Sequence, residues 1–132
     1  MQTASVRVVT GGLPDRLTAQ LRSGRREVRP ASSTDEALSL LRRAPGGRAL
    51  VLSELFPGAG DLLAAVEADY VLELRTLIAI VGDRTALAIA LRRRGVPVVS
   101  IRGAGKSLDI LLGDSARGLH RTPGRVHSRV RG

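Results

Sequence analysis

Few residues in this sequence have the types and spacing that chemistry needs. Gly103-Ala104-Gly105-Lys106-Ser107 has the ending of a phosphate-binding loop, in which backbone N–H groups and a lysine cradle phosphates. That motif also requires a glycine five positions before Gly105, where Ser100 stands. It normally follows an early strand, with a later one to supply an acid for Mg²⁺, yet only a short, arginine-rich stretch follows Ser107. Gly11-Gly12 offers a second glycine turn, but Leu13 to Arg16 hold no further glycine, so the G-x-G-x-x-G spacing of a dinucleotide site is missing. His120 and His127 lie seven apart with no third ligand nearby, and solvated residues are the simpler reading. Asp15, Asp61 and Asp83 fit helix starts. The chain has no cysteine, which excludes disulfides, thiolate zinc sites and cysteine nucleophiles. Neither a catalytic set, a metal set nor a cofactor is expected.

Composition narrows the partners. Lys and Arg number 21 against 12 Asp and Glu, a formal net charge of +9, which raises nucleic acid or another acidic surface as a partner. Lys106 is the single lysine, and five of the arginines follow Gly113 in a stretch with weak hydrophobic periodicity. Aromatics are 2%, so stacking platforms for bases are not expected, and the core must be aliphatic. No apolar run approaches a membrane span, and Met1 to Val9 lack the pattern of a signal peptide, so a cytoplasmic protein with no membrane contact is expected.

The elements that must position these residues alternate. Val6 to Thr10 is a β-branched run ending at Gly11-Gly12, and Pro14 stands where a first-turn proline would, before Leu17 and Leu21 at helical spacing. Glu27 to Arg29 gives a brief second strand. Ser33-Thr34-Asp35-Glu36 is a capping box ahead of Ala37, Leu38, Leu40 and Leu41. Ala49 to Leu52 is a buried strand, Phe56 to Gly60 a loop, and Asp61 a candidate cap for the helix carrying Leu62, Leu63 and Val66. Leu77 to Val81 is the next strand, Asp83 to Arg94 a helix, Pro97 to Ile101 the last strand, and a final helix runs from about Ser107 through Leu112. Strand and helix in alternation predict right-handed crossovers and a parallel sheet covered on both faces, with any chemistry at the carboxyl ends of the strands.

The stretch from Glu27 to Gly60 resembles the response-regulator receiver (CheY-like) family. The quoted residues are Asp35-Glu36-Ala37-Leu38, then an apolar strand, then Phe56-Pro57-Gly58 in place of a Met-Pro-Gly loop. VRVVTGGLPDRL resembles that family's first strand and acidic turn, and Ala90-Leu91 with Gly95 resembles the end of its fourth helix. The resemblance implies a flavodoxin-like three-layer αβα fold with a five-stranded parallel sheet in the order 2-1-3-4-5. Receivers accept a phosphoryl group on an aspartate beside a Mg²⁺ held by acids, and sense it through a hydroxyl and a lysine. In this sequence Ser53 falls at the aspartate, Gly11 and Gly12 at the acid pair, Val81 or Gly82 at the hydroxyl, and Arg102 near the lysine. Glu54 would point to the opposite face of the strand from Ser53 and would not replace that aspartate.

The resemblance therefore implies a pseudo-receiver over residues 1–112, followed by a basic, flexible tail over 113–132. Its expected role is non-catalytic and independent of phosphorylation: a signalling or transcription-regulating module that binds a protein partner and forms a homodimer. In receivers the fourth helix, fifth strand and fifth helix carry such contacts, here about Thr85 to Leu112. Arg92, Arg93, Arg94, Arg102 and Lys106 are the candidate interaction residues. The alternative expectation is a nucleic-acid-associated regulator binding weakly through the arginine-rich tail.

Overall fold

The computed structural model describes residues 6–22, 26–69, 72 and 76–118. Among them five strands alternate with five helices: β1 Val6–Gly11, α1 Asp15–Arg22, β2 Arg26–Pro30, α2 Thr34–Arg42, β3 Arg48–Ser53, α3 Ala59–Ala68, β4 Thr76–Val81, α4 Ala86–Arg93, β5 Val98–Val99 and α5 Ala104–Gly118. All strand pairs are parallel and the order is β2-β1-β3-β4-β5, the flavodoxin-like arrangement. The register sets Val8 beside Val28 and Ala49, and Leu50 beside Ile78.

Strand period two splits the apolar run of each central strand between two cores. Val9, Leu50, Leu52 and Ile80 face α2, α3 and α4, where Leu41, Leu62, Val66 and Leu91 are buried. Val8, Ala49, Val51, Ala79 and Val81 face α1 and α5, where Leu17, Leu21, Leu108 and Leu112 meet them. A strand buried on both faces has no use for polar alternation, which is why β3 is a continuous apolar run.

The helix starts show where local chemistry was read correctly and where it was not. Ser33 caps α2: its hydroxyl accepts the Glu36 N–H at 3.1 Å. The reciprocal arm lands one residue earlier, with the Glu36 carboxylate accepting from the Ser32 N–H at 2.8 Å. Asp61 does not cap α3; it lies within the first turn, and Gly58 in a left-handed conformation is the cap residue. Asp83 does not open α4 either. The helix begins at Ala86, with the Thr85 hydroxyl accepting the Ala88 N–H. The last strand is shorter than expected, because Pro97 has no N–H to donate and the chain bends at Ile101, where the Ser100 hydroxyl accepts the Arg102 N–H. The final helix is longer, starting at Ala104 and passing Leu112 to reach Gly118. The boundary expected at Leu112/Gly113 thus falls inside α5, and residues 119–132, with His120 and His127, lie outside the described residues.

Candidate functional site

Strand order reverses between β1 and β3, and the crevice above that switch point is where such sheets hold ligands. Gly11, Gly12 and Ser53 all reach it, but the crevice is filled from within. Phe56, on the loop after β3, folds back and is 6% exposed. A Cβ placed on Gly11 would stand 2.7 Å from Leu52 Cδ2 and 2.8 Å from the Phe56 ring, closer than real carbons approach. One on Gly12 would lie 3.2 Å from Ser53 Cβ. Gly11 is thus the residue that admits Phe56 to the core, and no acid side chain fits there without displacing the ring.

Ser53 is also engaged. Its Oγ accepts the Leu55 N–H at 3.1 Å, a local turn bond that fixes the start of the loop. Glu54 lies on the other flank. Its Oε1 accepts the Thr85 N–H at 2.8 Å and the Arg84 N–H at 3.0 Å, thirty residues along the chain. These bonds, led by the Thr85 N–H and aided by the Arg84 charge, hold its carboxyl below the usual range against the opposing effect of burial. The carboxylate lies over Gly82, whose φ of +110° and lack of side chain are both required, since a Cβ there would overlap the Glu54 side chain. Val81 is buried against α1 and α5. The positions compared with the phosphorylation set therefore all lie at the carboxyl end of the sheet, with Arg102 lining a separate cavity beside α1.

Mg²⁺ does not fit this crevice. Gly11 and Gly12 supply no carboxylate, Phe56 fills their side of it, and the nearby Glu54 oxygen is already bound to two amides. Among the described residues no group of three or more His, Asp or Glu side chains could hold a metal ion. Nor is any helix among them long and apolar enough to cross a membrane.

The five candidate interaction cations separate into two groups. Helices of a parallel sheet start at the carboxyl ends of the strands and finish at the amino ends. Arg92, Arg93 and Arg94 close α4, whereas Arg102 and Lys106 stand at the start of α5, at the other end of the sheet. Arg94 is hydrogen-bonded to Glu67 of α3. Sequence reading missed what lies between these groups. Ile89 is 46% exposed, Ile101 56% and Ile110 57%. Leu87 packs toward Gly60 of α3, so Ile89, two residues and about 200° further round α4, turns to the opposite flank. Asp109 reaches back to Arg26 of β2 at 2.9 Å, and Ile110, the next residue, turns away from that side. Spacing on α4 and α5 could have signalled these isoleucines, since both fall off the buried stripe.

Comparison with protein-family models, with curated proteins and with solved structures finds no match for this chain.

Proposed function

We propose that this chain is a non-catalytic pseudo-receiver: a regulatory protein–protein interaction module that works without phosphorylation. One observation carries the reading. The strand-end crevice is taken up by the chain's own Phe56 and Glu54, while apolar surface is left open on α4, beside β5 and on α5. Exposed isoleucines on α4 and α5, the helices that cover opposite faces of the sheet, favour a protein surface as occupant. A second copy of the chain is the partner put forward, since most soluble oligomers are symmetric homo-oligomers. The nucleic-acid alternative rests on arginines of which all but Arg117 lie outside the described residues, so the protein–protein reading is the one carried forward.

Sedimentation equilibrium of the full chain tests it. A dimer is expected for the natural sequence, and a monomer for the double variant Ile89→Asp, Ile110→Asp, with unchanged circular dichroism because both side chains are exposed. A dimer that survives both aspartates would place the interface elsewhere.

A further inference from the structure

Between α1 and the turn that leads into α5 lies a cavity of about 520 Å³, within the size range of small-molecule sites. It is separate from the filled crevice and independent of the regulatory reading above. Its lining combines apolar Pro14, Leu17 and Ile101 with three cations, Arg16 of α1, Arg102 of the turn and Lys106 of α5. No carboxylate lines it. The acid nearest in sequence on α5, Asp109, is drawn off by Arg26 at 2.9 Å and leaves Lys106 uncompensated from that side. Elsewhere the chain does pair cations: Arg7 and Arg29 share Glu27, and Arg42 meets Asp69. Here three converge from two elements without a counter-charge in the lining.

From this we infer that the cavity binds a phosphate-bearing small molecule with a planar or apolar body, of the nucleotide class. Three cations of one lining select a multiply charged anion, because each phosphate oxygen can accept a charge-assisted bond from an Arg or Lys N–H for which no carboxylate of the lining competes. The start of α5 adds the positive end of its dipole on the same side. Pro14, Leu17 and Ile101 then cover the uncharged part of the ligand, which gives the exposed Ile101 a contact. Gly105 shapes the floor: it is buried, and any side chain there would overlap the Gln20 amide folded across the first turn of α5. With no acid in the lining, binding needs no divalent cation.

Calorimetric titration of the full chain with ATP, pyrophosphate and adenosine, all in EDTA, tests this. ATP is expected to bind saturably at one site, pyrophosphate more weakly, and adenosine not at all over the same concentrations. The double variant Arg102→Ala, Lys106→Ala is expected to lose about tenfold or more in ATP affinity, as for removal of charge-assisted bonds. Arg92→Ala, Arg93→Ala removes the same charge at the far end of the sheet and is expected to leave it within about twofold. ATP is also expected to shift the amide resonances of Gly103 and Gly105 in the natural chain, a readout independent of any variant. No saturable ATP binding, equal loss in the two double variants, equal affinity for pyrophosphate, or shifts centred on Gly11 and Gly12 would each overturn the assignment. Retention of a single-stranded oligonucleotide but not ATP would assign the charge to nucleic acid instead.

Discussion

A phenyl ring and a carboxylate decide what the strand ends can do. Phe56 is buried against Gly11 and Gly12, in the crevice that an open flavodoxin-like sheet leaves for ligands. Phe56→Ala is expected to destabilise the fold by about 3 kcal/mol or more, the usual cost of emptying a buried aromatic site, measured by urea unfolding. A loss under about 1 kcal/mol would show the ring to be a loose cover. Glu54 ties the end of β3 to the start of α4 through two backbone N–H groups. Glu54→Ala is expected to cost about 1 kcal/mol, comparable to the loss of a helix cap. The effect depends on pH with a definite sign. Glu54, Glu27 and Glu36 all have carboxyls held below the ordinary value of 4.5, by the Thr85 N–H, by Arg7 and by the Ser32 N–H respectively. A depressed folded pKa lends stability that is complete above 4.5 and lost as pH falls through the lower folded value. The gap in melting temperature between the natural chain and Glu54→Ala should therefore be constant above about pH 5 and shrink in acid. A gap that widens in acid would mean that the carboxylate is not the stabilising form.

At the scale of elements, the S-x-x-E signature of α2 was legible because capping is local: the Ser33 hydroxyl and the Glu36 N–H are three residues apart. Ser33→Ala is expected to cost about 1 kcal/mol by thermal or urea unfolding, and no change would show the bond to be idle. The start of α4 was not legible in the same way. Asp83 looked like its cap, but Glu54 supplies the carboxylate from another strand, and Thr85 takes the cap position. No local pattern announces a partner about thirty residues away. The filling of the crevice by Phe56 was hidden for a similar reason. The glycines at 11 and 12 were visible as absences of acid, but what occupies their space depends on how the loop after β3 folds back. The buried strands were the clearest elements, since double-faced burial leaves an unbroken apolar run such as Ala49 to Leu52. The two-residue β5 was the least clear, because its pairing is confined to Val98 and Val99, between Pro97 and the bend at Ile101.

For the whole molecule, alternation of strand and helix was enough to expect a parallel sheet covered on both faces, and the order 2-1-3-4-5 agrees with the expectation drawn from the receiver resemblance. The fold leaves the two faces of the chain's chemistry far apart in character. Its strand-end crevice is tightly packed, whereas Ile89, Ile101 and Ile110 remain exposed and a cation-lined cavity opens beside α1. The proposal that regulation here proceeds without phosphorylation depends on the packed crevice above all. The most direct measurement is intact mass and amide resonances of the full chain after incubation with acetyl phosphate and Mg²⁺. The expected result is an unchanged mass and no Mg²⁺-dependent shift at Gly11, Gly12 or Gly82; stoichiometric addition of one phosphoryl group, with shifts at those glycines, would contradict it.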